Sequence, residues 1–142
     1  ALALGCARAA YEFTKEALAK EGIEIRYDKP LVQQSAIERD MLWMEAQLEM
    51  IRVIVQKAAW MADNGRPNNL EASMAKAKGG KAGNLICQKC VELLGPIGYS
   101  QKYLLEKWMR DNKVNDIYEG TQQINMIVIA RRILDYGRDM LA

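Results

Sequence analysis

The stretch Ser35–Asp63, "SAIERDMLWMEAQLEMIRVIVQKAAWMAD", decides the fold. Its opening "SAIE" is a capping box. The Ser35 hydroxyl can accept from the Glu38 amide while the Glu38 carboxylate reaches back to the Ser35 amide. From there Ile37, Met41, Met44, Leu48, Ile51 and Val55 fall at helical spacing, a heptad-like seam that predicts one long helix ending near Asn64. Leu42, Trp43, Ile54 and Trp60 lie off the seam, so more than one face is apolar. A long helix of this kind belongs inside a bundle or an oligomer interface.

Working outward, breakers are few and well spaced: Gly22 to Pro30, Gly65 to Asn69, Gly95 to Gly98 and Asn112 to Gly120. The segments between them carry no strand alternation. A first helix is expected over Leu2–Glu21. A third is expected over Asn69–Leu94, with Asn68 and Glu71 at its start and Gly95-Pro96 as its stop. A short amphipathic helix is expected over Gln101–Asp111. A last helix starts near Thr121 and carries Ile124, Ile127, Val128, Ile129, Ile133 and Leu134. Four long helices and one short one, joined by short loops, predict an all-α antiparallel four-helix bundle.

The 142 residues suffice for one domain with a core, and a 50% apolar, 27% charged composition is that of an ordinary globular chain. A net charge of +2 offers no field for nucleic acid or an anionic membrane. Histidine is absent, so proton transfer falls to Glu, Asp, Lys, Tyr or Cys. The three cysteines, Cys6, Cys87 and Cys90, are expected to be reduced thiols of an intracellular protein. Cys87 and Cys90 form a CxxC, but no second ligand pair accompanies them and no metal site is expected. They lie well inside the third helix and read as buried, inert thiols. Met41, Met44, Met50, Met61 and Met74 read as core filling. "KAKGGKAG", Lys76–Gly83, lacks the order of a phosphate loop and is equally explained by small residues that let two helices approach closely.

"NDIYEGTQQIN", Asn115–Asn125, is different. It sets Glu119 between an aromatic residue and a glycine, just before an apolar helix. A carboxylate lodged among apolar groups is a stronger base. Gly120 lets a ligand pass close to the backbone, and the helix start at Thr121 welcomes an anionic or carbonyl oxygen. The plainer reading is a Glu favoured by the helix dipole, with Thr121 as the cap.

The run "VELLGPIGYSQKYLLEKWMRDNKVNDIYEGTQQINMIVIARRIL" resembles the C-terminal region of the acyl-CoA dehydrogenases. The blocks "GCARAAYEFTKEAL", "KPL" and "AAWMADNGRPNNLEASMAKA" extend the resemblance over essentially the whole chain. The resemblance implies a flavoprotein that removes two hydrogens from the α and β carbons of an acyl-CoA thioester. Glu119 would take the α proton, and FAD would accept the β hydride. Gly120 would lie against the thioester and Tyr118 would wall the pocket. Thr121, Gln122 and Gln123 would touch FAD, as would the Gly95 turn with Glu92. Electrons would pass to an electron-transfer flavoprotein, and the assembly would be a tetramer or dimer. Residues 1–142 would then be a single C-terminal helical domain of a longer chain with an N-terminal helical and a middle β domain. Alone it would be inactive, and its home would be a bacterial cytoplasm or the mitochondrial matrix.

Departures from the family pattern are local. The family has an Arg-x-x-Phe-Gly-Lys-Pro run whose Arg contacts FAD. Here Glu24 holds the Arg position, with Tyr27 and Asp28 in place of Phe and Gly, and Arg26 is the nearby substitute. Ser35 stands where a flavin-contacting Gln is usual. Glu92 opens the turn that usually reads Gln-x-x-Gly-Gly. Carboxylates at these positions should weaken FAD binding. They favour a second expectation, a non-catalytic relative in which the bundle serves oligomerisation. A bare bundle that binds partner helices would leave "IYEGT" unexplained.

Overall fold

The computed structural model describes residues 1–137, whose regular structure is all helical with no strand. Six α-helices follow in order: α1 (Leu2–Lys20), α2 (Ala36–Asp63), α3 (Asn69–Leu94), α4 (Pro96–Tyr99), α5 (Leu105–Val114) and α6 (Gln122–Leu134). A 3-10 turn, Leu31–Gln33, interrupts the α1–α2 loop. α3 is the hub, packed against α1, α2, α5 and α6. Cross-contacts fix the direction of α2 against α3. Cys90 meets Met44 near one end, and Lys57 pairs with Glu71 near the other, so the two helices run antiparallel.

Several boundaries have a local cause. Both halves of the Ser35–Glu38 capping box are formed. Asn68 precedes α3 but does not cap it through its side chain. Its Nδ2 instead donates 2.9 Å to the Ala58 carbonyl and ties the α2–α3 loop down. α3 stops at Gly95, whose φ of 50° is open to glycine. The expected plain turn after it is a short helix, α4, begun by Pro96. α5 sits further along than expected, ending at Val114 rather than Asp111. Tertiary contact extends it. Asn112 is fully buried, its Nδ2 donating to Cys87 Sγ at 3.3 Å and its Oδ1 accepting from Asn115 Nδ2 at 2.9 Å.

The core joins Ala7, Ala10 and Tyr11 of α1, Met41, Met44, Leu48 and Ile51 of α2, Ile86, Cys87, Cys90 and Val91 of α3, and Leu105 of α5. Alanines on α1 and glycines on α3 let these helices approach closely, so "KAKGGKAG" is a packing surface and not a loop. Burial pushes the Cys87 thiol up to about 12 and Cys90 up to about 11, and all three thiols are free. Of the five methionines read as core filling, only Met41 and Met44 are fully buried. Met50 is 47% exposed, on a second apolar stripe of α2 with the exposed Trp43, Val53 and Trp60, the last of which meets the Arg66 guanidinium at 5.0 Å from its ring. α6 has no buried residue, and its Ile124, Met126, Ile127, Ile133 and Leu134 are exposed. No described helix is long and apolar enough to cross a membrane, and no described cluster of His, Cys, Asp or Glu could hold a metal ion.

Candidate active site at the α5–α6 turn

α5 ends in a series of tight turns. Asn115 N bonds to Asn112 O, Asp116 N to Lys113 O, and the amides of Ile117 and Tyr118 both bond to Val114 O. The chain then reverses through two successive residues with positive φ, Glu119 at 51° and Gly120 at 98°. Thr121 returns to extended geometry and caps α6, its Oγ1 accepting from Ile124 N at 3.4 Å. The glycine is required twice: by its φ, and because a Cβ there would sit 3.2 Å from Asn125 Nδ2. Glu119 has no such licence. A non-glycine residue in the left-handed region costs about 1–2 kcal/mol, and such residues cluster at functional sites. The other one described, Asp135 at 53°, has the ordinary excuse of a helix C-terminus.

Two side chains outside the predicted set hold this turn. Lys76 on α3 donates its ammonium to the Asn115 carbonyl oxygen and lies 4.4 Å from the centroid of the Tyr118 ring. Asn125 on α6 donates Nδ2 to Gly120 O at 2.9 Å and to Thr121 O at 3.0 Å. Neither has a sequence signal, since both bind backbone carbonyls and Lys76 reaches one 39 positions away. Tyr118, Lys76, Asn115 and Gly80 line a cleft of about 260 Å³ that also touches Leu2, Leu4, Ile51 and Val55. Tyr118 is therefore a wall of a largely apolar cleft. Glu119 itself is exposed, so the expected apolar surroundings are not supplied by the described residues.

The predicted site residues fall into two groups. Tyr118, Glu119, Gly120, Thr121, Gln122 and Gln123 are contiguous at the start of α6. Arg26, Glu92 and Gly95 lie toward the other end of α3. At about 1.5 Å rise per residue, Lys76 and Glu92 stand on the order of 20 Å apart along α3.

Their chemistry differs too. At the α6 start the Gln122 amide bonds to Asp116 O and the Ile124 amide to Thr121 Oγ1, which leaves the Gln123 amide and the exposed Gln123 side chain as donors suited to a flavin edge. At the other end the donor set does not suit a pyrophosphate. Arg26 Nε and Nη2 each meet a Glu38 carboxylate oxygen at 2.7 Å, and Nη2 also meets the Gln33 carbonyl at 2.8 Å. The guanidinium first, and the Ser35 amide after it, hold the Glu38 carboxyl far below the usual carboxylate range. Arg26 is thus already neutralised, with Glu24 and Asp28 nearby on the same loop. Glu92 pairs with Lys89 at 2.9 Å, and Lys89 also reaches Asp40 at 3.7 Å.

A family model for the acyl-CoA dehydrogenase C-terminal domain matches residues 1–134. The probable acyl-CoA dehydrogenase YngJ of Bacillus subtilis (strain 168) is 35% identical over 134 residues, 94% of this chain and 34% of the relative. The mitochondrial short/branched chain specific acyl-CoA dehydrogenase of Bos taurus is 33% identical over 92% of this chain and 29% of its own length. Among solved structures, butyryl-CoA dehydrogenase from Megasphaera elsdenii is similar at a TM-score of 0.77 and 31% identity, covering 93% of this chain and 34% of that one. The chain spans about a third of the length of the curated relatives it matches. With five described helices packed around α3 and the "IYEGT" turn at the start of α6, it belongs to the acyl-CoA dehydrogenase family, as a C-terminal domain.

Proposed function

We propose that this chain is the C-terminal part of an FAD-dependent acyl-CoA dehydrogenase that α,β-dehydrogenates an acyl-CoA thioester. The observation that carries the reading is the strained Glu119, held beside Gly120 at the entrance to α6 in a chain of this family. Glu119 takes the α proton of the thioester. Gly120, without a side chain, admits the thioester to the backbone, and Tyr118 walls the acyl cleft. Neighbouring domains of a longer chain close over Glu119 and exclude water, which strengthens a carboxylate as a base. The chemistry that FAD supplies when bound is acceptance of the β hydrogen as hydride. Thr121, Gln122 and Gln123 are the residues of this chain that would hold its flavin edge.

The parent chain adds an N-terminal helical and a middle β domain, and the isolated domain is inactive. An electron-transfer flavoprotein takes the electrons, within fatty-acid β-oxidation in a bacterial cytoplasm or mitochondrial matrix. The uncovered apolar stripes of α2 and α6 are suited to a dimer or tetramer. A second reading, a non-catalytic relative serving oligomerisation, is favoured by the neutralised Arg26 and by Glu24 and Glu92 at flavin positions.

The test uses the parent protein. Saturated straight- and branched-chain acyl-CoA thioesters are added without oxygen and the flavin absorbance is followed. Bleaching by one chain class, abolished in Glu119→Gln, is the expected result. A parent protein that purifies without flavin and takes none up leaves only the oligomerising relative.

A further inference from the structure

We infer that Lys76 is a positioning residue for Glu119, acting from α3 through the turn that carries it. The inference rests on the reading of Glu119 as the base. The last carbonyls of α5 have no partner within their helix, and a cation is favoured at that end. The Lys76 ammonium takes one of them, Asn115 O, and in the same pose covers the Tyr118 ring at 4.4 Å. One turn further along α3, Gly80 provides the room. A Cβ there would stand 3.0 Å from Asn115 O and from Asp116 Cα. Lys76 and Gly80 together seat residues 115–118 against α3. On the far side, Asn125 grips the carbonyls of Gly120 and Thr121. The strained Glu119 and the Gly120 beside it are therefore held from both sides. Release of either side lets Glu119 relax from its left-handed conformation and moves its carboxylate.

The experiment compares Lys76→Met, Lys76→Arg, Asn125→Ala and Glu119→Gln in the flavin-loaded parent protein. One readout is turnover of whichever thioester in the acyl-CoA panel bleaches the flavin fastest. The other is amide hydrogen exchange of peptides spanning 115–121 and 86–91. Lys76→Met is expected to lower kcat on the order of tenfold to a hundredfold with KM little changed. Exchange at 115–121 should rise while 86–91 stays protected, and Lys76→Arg should recover most of both. If Lys76→Met fails to fold, Asn125→Ala carries the same prediction from the other side. Unchanged kcat and unchanged exchange at 115–121 overturn the inference. A silent Glu119→Gln sinks the base assignment alone, because exchange at 115–121 still judges the clamp.

Discussion

Gly79 and Gly83 lie one turn apart on α3, and their surroundings predict opposite responses to the same substitution. In a helix interior alanine is favoured over glycine by roughly 1 kcal/mol. At Gly79 an added Cβ would meet only Ile51 Cγ2, at 3.6 Å, an ordinary contact. Gly79→Ala should therefore stabilise by up to about 1 kcal/mol. At Gly83 the same Cβ would lie 2.7 Å from Asn112 Nδ2 and 3.3 Å from the Ala3 carbonyl oxygen. Asn112 has nowhere to go, being fully buried and bonded to both Cys87 and Asn115. Overpacking costs about 1–3 kcal/mol, and unpairing the buried amide adds about 1–3 kcal/mol. Against the propensity gain, Gly83→Ala should lose about 1–5 kcal/mol net. Urea unfolding followed by far-ultraviolet circular dichroism reads both variants, the midpoint moving at unchanged slope. Shifts of the same sign, or a Gly83→Ala protein as stable as the native one, would refute the packing argument.

Two further outcomes are expected. The Glu38 carboxyl is held low by Arg26 and Ser35, so its contribution is present above the unfolded value of about 4.3 and fades as pH falls below it. Glu38→Gln should be less stable than the native protein at neutral pH, with the gap narrowing on acidification; a gap independent of pH would count against the assignment. Cys87 and Cys90, raised to about 12 and about 11 by burial, carry almost no thiolate near neutrality. Iodoacetamide with peptide mapping should leave both unmodified until denaturant is added, and labelling of Cys87 in the native protein at the rate of a free thiol would contradict this.

What the sequence by itself determined is what depends on neighbours along the chain. The Ser35–Glu38 box and the Ile37-to-Val55 seam located α2, Gly95-Pro96 ended α3, and Thr121 capped α6, because caps, breakers and helical periodicity act within a few residues. "IYEGT" likewise located the turn that leads into α6, since its residues are contiguous. Contacts between distant residues were decided only by the tertiary structure. Glu38 was legible as half of a capping box, yet the same carboxylate also pairs with Arg26 from the α1–α2 loop, a contact no local pattern announces. Met50 read as core filling, yet it lies exposed on α2, and the apolar residues Ile124, Met126, Ile127, Ile133 and Leu134 of α6 are exposed although α6 packs on α3, because apolar spacing does not say which face meets another helix. The strain at Glu119 was not legible either. It exists because Lys76, 39 positions before Asn115, and Asn125 beyond Gly120 hold the turn from two different helices. A lysine that binds a backbone carbonyl leaves no pattern in residue types; only the packing of α3 against the end of α5 brings the two together.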